Sequence, residues 1–155
     1  MADVVDAGTR SRMMAGIRGR DTRPERQIRS GLHRLGFRFR VHAAVPAGRP
    51  DVVLPKYRAV VFVHGCFWHG HDCDLFRWPG TRRAFWRQKI VANRKRDLAV
   101  RNAVRAAGWR QIVIWECAFK GKGKGTDALA RTVERTAAWL RGGRRFAEIR
   151  GRHRH

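Results

Sequence analysis

Val60-Val-Phe-Val-His64-Gly-Cys66-Phe-Trp-His69-Gly-His71-Asp-Cys73 joins a continuous apolar run to a loop dense in metal-binding side chains. An apolar run of this length, ended by a glycine, reads as a strand covered on both faces. A second such run, Trp109 to Glu116, follows a long helical stretch and is closed by Cys117. Strand, helix and strand in that order predict a β-α-β unit with two parallel neighbours whose C-terminal ends lie together. The expected class is α/β, a mixed central sheet flanked by helices.

The loop offers Cys66, His69, His71 and Cys73, and Cys117 is the one remaining cysteine. Most cysteines in soluble proteins are simply buried thiols. Four nitrogen and sulfur donors within eight residues argue instead for tetrahedral zinc. If the loop is extended, His69 and His71 share a side, and both could join Cys66 and Cys73. The crossover favours another set, Cys66, Cys73, Cys117 and one histidine, because Cys66 and Cys117 each lie just past a paired strand end. One histidine is then spare for chemistry.

At 155 residues the chain has the length of one domain, with 35 Lys and Arg against 12 Asp and Glu and a net charge of +23. So large a cationic field makes nucleic acid the expected partner. A membrane-surface or ribosome-type basic protein is the blander alternative, and the sequence has no run resembling a transmembrane helix or a signal peptide. Three cysteines cannot pair completely, which fits a reducing cytoplasm with thiolates on a metal.

Residues 9–17 predict a short helix. Thr22-Arg23-Pro24-Glu25 is a helix start with a capping box, followed by Ile28, Leu32 and Leu35 at helical spacing. Residues 37–42 alternate as a half-buried strand, and residues 50–54 should pair with 59–64 as an antiparallel hairpin. That hairpin puts Asp51 and His64 at one end of the sheet. The stretch 82–107 reads as one helix with nine Lys or Arg, and Asp97 is the lone acid between Asp74 and Glu116. The favoured partner for Asp97 is Arg101, four residues on; a histidine is the sharper alternative. Thr126 is expected to cap a last helix with Leu129, Val133 and Leu140 inward. Residues 141–155 read as a basic, glycine-containing tail of flexible character.

Several motifs, taken in order, resemble the very-short-patch repair DNA mismatch endonucleases. They are Arg20-Asp21-Thr22…Glu25, Gly48-Arg49-Pro50-Asp51, His64-Gly65-Cys66-Phe67-Trp68-His69, Phe85-Trp86…Lys89-Ile90…Asn93…Arg96-Asp97, and Gly108-Trp109…Ile114-Trp115-Glu116-Cys117. The resemblance implies a restriction-endonuclease-like fold in a single nuclease domain, with residues 1–22 as a DNA-contacting arm. It implies Mg²⁺-dependent nicking of double-stranded DNA 5′ of the thymine in T:G mismatches left by deamination of 5-methylcytosine, giving a 5′-phosphate and a 3′-hydroxyl. By position, Asp51 and the backbone carbonyl of Val63 hold Mg²⁺ and His69 is the catalytic histidine, with His64, Asp97 and Glu25 around that centre. Cys66, His71, Cys73 and Cys117 hold a structural Zn²⁺. Phe67, Trp68 and Trp86 wedge into the DNA. It further implies a monomer in the cytoplasm at the nucleoid, linked to a cytosine-5 methyltransferase and to a repair polymerase and ligase. Two departures stand out: Phe62-Val63-His64 replaces the acid-x-Lys triplet of the wider fold, and Val63 replaces a hydroxyl residue. They keep two other readings open, a restriction-type nuclease on unmismatched DNA and an inactive zinc-stabilised DNA-binding protein.

Overall fold

The computed structural model describes residues 21–41, 43, 45, 48–121 and 124–151. Helix α1 (Arg23–Arg34) is followed by β1 (Val52–Leu54), β2 (Ala59–His64), α2 (Arg83–Ala106), β3 (Arg110–Trp115), α3 (Thr126–Arg141) and β4 (Phe146–Ile149). The sheet order is β1-β2-β3-β4. The first pair is antiparallel, with Val52 opposite Val61. The β2–β3 pair is parallel, running from Ala59 opposite Arg110 to His64 opposite Trp115. The expected hairpin and crossover are both present.

Alternation along the strands sorts their side chains onto two faces. Val52, Leu54, Val61, Val63, Ile112 and Ile114 pack against Ile28 and Leu32 of α1 and Val133, Ala137 and Leu140 of α3. The other face carries Val53, Val60 and Phe62, which meet Val100 and Val104 of α2. By the same parity His64 falls on the α2 face, opposite Trp115. The α2 face is thinly covered: a cleft of about 680 Å³, lined by Phe62, His64, Val113 and Trp115 among others, opens between α2 and the sheet.

Local chemistry explains the ends of the elements. The Thr22 hydroxyl accepts from the Glu25 N–H at 3.4 Å, and Pro24 sits in the first turn of α1. The reciprocal half of the box is shifted by one residue, because Glu25 accepts from the Asp21 N–H. Arg110, at the start of β3, donates to the carbonyls of Trp139, Leu140 and Gly142 and so caps the end of α3.

Three expectations change. The N-cap of α3 is Gly125, not Thr126: extended Gly125 offers its carbonyl to the N–H groups of Ala128 and Leu129, so Thr126 is already inside the helix. Of the 37–42 strand only an isolated bridge forms, between Arg40 and Val53; the chain leaves the edge of β1 after it, and His42 lies outside the described residues. The tail from 141 is not free in its first half. Phe146–Ile149 adds to the open edge of β3 as a parallel strand, with Ile149 buried in the core. The helix expected at 9–17 lies outside the described residues, as does nearly all of the 1–22 arm.

Candidate functional site

The loop after β2 is coiled, not extended, and this separates its histidines. The His69 N–H bonds to the Gly65 carbonyl at 3.3 Å and the His71 N–H to the Cys66 carbonyl at 2.9 Å. Between them Gly70 reverses the chain at φ +58°, where a Cβ would stand 2.5 Å from the Ile90 side chain. His69 therefore turns toward α2 and His71 toward Cys117, and the shared side expected from an extended loop is not found. Trp115 stands between the two: His71 stacks on its ring at 3.9 Å and His69 meets its edge at 5.9 Å.

Cys66, His71, Cys73 and Cys117 come together with their donor atoms all within 4.8 Å of one another. The crossover places Cys117 so that its N–H donates to Cys66 Sγ at 3.3 Å, and its own Sγ lies 3.5 Å from His71 Nδ1. Three sulfurs and an imidazole this close fit a single tetrahedral ion. The Cys66 hydrogen bond pulls the Cys117 thiol down to about 5, while the same bond and burial push Cys66 up. Crowded sulfurs sharing protons are what a thiophilic cation relieves. The segment after β4 braces the group. Gly151 donates its N–H to Cys117 Sγ at 3.3 Å, and any Cβ there would lie 2.3 Å from the Cys117 carbonyl oxygen. Arg150 pairs with Asp72 at 2.8 Å, and Asp72 faces His71 Nε2 at 3.6 Å.

On the other side of Trp115, His64, His69 and Asp97 converge. Asp97 pairs with His69 Nδ1 and not with Arg101, whose guanidinium lies over the Phe146 ring at 3.8 Å. The crossover turns the Asp97 face of α2 toward the loop, so the tertiary partner replaces the local one. The His64 and His69 rings stack at 4.0 Å with 7° between planes. Parallel rings cannot both aim in-plane lone pairs at one ion, so this trio suits proton handling better than chelation. Burial, then the neighbouring His69, pushes His64 down to about 3, which keeps it neutral.

Asp51 lies at the same strand end. Its Oδ2 accepts from the Val63 N–H at 2.6 Å, which holds the carboxylate beside the residue expected to lend its carbonyl. Burial, then the charge of Glu25, pushes Asp51 up to about 7. Two crowded carboxylates form a hard-oxygen pocket of the kind that accepts a divalent ion. Arg29 joins them, donating to Glu25 at 3.1 Å and to the Asp51 carbonyl at 3.2 Å.

Phe67, Trp68 and Trp86 form one cluster, with ring centroids 5.3–5.8 Å apart. Trp86 is 8% exposed and serves as the base on which the other two rest. Three positioning residues were given no role from the sequence. Arg29 is one; it stands four residues after Glu25, so the helical pairing rule points to it. Asn93 donates to the Trp68 carbonyl at 2.8 Å, and Arg94 to those of His69 and Gly70. Asn93 lies one turn before Asp97, the local signal available for it; Arg94 shows none.

A family model described as DNA mismatch endonuclease Vsr matches residues 2–75. The chain is 45% identical over 149 residues to the DNA mismatch endonuclease Vsr of Escherichia coli K12, covering 96% of this chain and 94% of that one. It is 45% identical to the type II nicking enzyme V.XorIIP of Xanthomonas oryzae pv. oryzae, over 79% of this chain and 90% of the relative. The type II nicking enzyme V.NmeAIP of Neisseria meningitidis is 39% identical, over 86% and 95%.

Proposed function

Because the chain belongs to the DNA mismatch endonuclease Vsr family, we propose that it nicks double-stranded DNA 5′ of the thymine in T:G mismatches, with Mg²⁺, as the first step of very-short-patch repair. That it is a DNA-nicking endonuclease follows from the family. The substrate and the ion are our reading, as are the restriction-endonuclease-like fold and a functional link to a cytosine-5 methyltransferase.

The observation that carries the reaction is the pairing of Asp97 with His69 at the strand end that also holds Asp51. Asp97 keeps the proton on Nδ1 and leaves Nε2 bare, the form in which imidazole accepts a proton from an attacking water. Neutral His64, stacked behind it, does not oppose the imidazolium that results. Asp51 with the Val63 carbonyl would hold Mg²⁺, which supplies charge neutralisation at the phosphate and its leaving oxygen. Glu25 and Arg29 keep Asp51 in place. Cys66, His71, Cys73 and Cys117 would hold Zn²⁺ as a brace for the loop. Phe67 and Trp68 project from the braced loop as a wedge, and a mispaired step costs less to unstack than a paired one.

End-labelled duplex under single-turnover conditions tests this reading. The expected product is one nick, 5′ of the mismatched thymine, with a 3′-hydroxyl, formed with Mg²⁺ and absent with chelator. Cleavage of both strands would replace the reading with a restriction-type nuclease; binding without cleavage would leave a DNA-binding protein.

Two further results follow. Arginines and lysines along α2 should make log K fall with log salt at about −0.9 per phosphate contact; a slope near zero counts against DNA as the partner. A carboxylate raised from 3.8 to about 7 binds more protons folded than unfolded, so without metal its contribution to stability falls as pH rises from 4 to 7. Mg²⁺ competes with that proton. The rise in Tm that Mg²⁺ produces should grow from pH 5 to pH 7 and then level, and Asp51→Asn should flatten this dependence.

A further inference from the structure

The aromatic cluster does not end at Phe67, Trp68 and Trp86. Phe67 also meets Phe76 at 6.0 Å, and Phe76 meets the edge of Trp78 at 5.0 Å. Trp78 is 44% exposed, and Trp86 carries the ring of a second exposed residue, Phe85, at 5.2 Å. Single exposed aromatics are ordinary. Here two exposed rings close the two ends of one continuous chain of rings, and each has a cation above it. Arg87 stands 5.9 Å from the Trp78 ring and Arg82 4.3 Å from that of Phe85. No acid occurs between Asp74 and Asp97, so the segment carrying these rings is purely cationic. An exposed aromatic ring beside a guanidinium matches one chemistry closely: a nucleobase for the ring and a backbone phosphate for the charge.

We propose that Trp78 is a further DNA-stacking residue, taking the face of a base unstacked beside the mismatch while Arg87 meets the adjoining phosphate. This rests on the mismatch reading above for where the base is unstacked, but not for the stacking itself. The wedge opens the step, and Trp78 supplies a surface on which an opened base can rest. The gain is confined to DNA that presents an unstacked base, so Trp78 acts on selectivity more than on general affinity.

The test measures Kd at fixed salt for a T:G duplex, a T:A duplex and a duplex with a one-nucleotide bulge, which offers an unstacked base whatever the mismatch preference. Trp78→Ala should weaken binding to the T:G and bulged duplexes by about 5- to 150-fold, the usual range for loss of one base–aromatic stack, and change T:A binding by less than about twofold. Trp78→Phe should recover most of the loss and Trp78→Leu little, at unchanged Tm. Wild-type affinity of Trp78→Ala for the bulged duplex would overturn the proposal. Recovery by Trp78→Leu equal to that by Trp78→Phe would overturn it too, by making Trp78 a packing prop for Phe76. A wild-type chain that binds T:G and T:A alike, yet loses bulge binding in Trp78→Ala, supports the stacking role and removes the mismatch reading.

Discussion

Asp51→Ala and His69→Ala are each expected to stop nicking while a T:G duplex still binds. Loss of a general base alone lowers rates by about 10²–10⁴-fold, and loss of a carboxylate that holds the metal should reach at least the upper end of that range. The two variants should differ in what Mg²⁺ does. His69→Ala keeps the Asp51–Glu25 pair, so it keeps the Mg²⁺-dependent rise in Tm; Asp51→Ala loses it. In rate Asp97→Asn should fall between His69→Ala and the wild type, because the amide still touches Nδ1 but no longer favours the proton there, with little change in KM. If His69→Ala nicked at the wild-type rate, the base would have to be sought elsewhere, and His64, held down to about 3, would be too weak a base to serve.

The largest effect on folding is expected at the sulfur cluster. Cys73→Ser and Cys117→Ser should release the metal, which elemental analysis of the purified chain reads directly as about one zinc per chain before and none after. Both edges of the site then come loose: the loop from Cys66 to Cys73, and the strand end at Gly151 that donates to Cys117. A fall in Tm of more than about 10 °C is expected, from several kcal/mol at roughly 2–4 °C each for a domain of this size. His71→Ala belongs with these cysteines, and His69→Ala does not. A stable, zinc-replete His71→Ala with dead chemistry, beside an unstable His69→Ala, would exchange the two assignments.

The contrast between those two histidines shows how far sequence reading reaches. The apolar runs at 60–63 and 109–116 are long enough, and far enough apart, to force a parallel crossover, and from the crossover alone Cys66 and Cys117 had to meet. Strand parity likewise sets His64 and Trp115 on the face under α2. Which way His69 and His71 point depended on a coil around Gly70, and an assumption of extended chain put them on one side. Asp97 failed for a related reason. Helical spacing names Arg101 as its neighbour, and only the packing of α2 across the sheet brings His69 to it. β4 was hidden because Phe146–Ile149 is short and sits among arginines and glycines; the unpaired edge of β3 is what selects it. The capping role of Arg110 and the clamp from Arg94 are contacts to carbonyls distant in sequence, and no local pattern marks such contacts.

The central claim is that this site nicks DNA because a T:G pair is present. It is tested most directly by the single-turnover nicking rates, with Mg²⁺, of two duplexes that differ only in having T:G or T:A at one position. The account predicts fast nicking 5′ of the thymine in the T:G duplex and a T:A rate lower by about 30- to 150-fold, the two to three kcal/mol that base-step deformability and stacking supply. Equal rates on the two duplexes, or no nick in either, would contradict it.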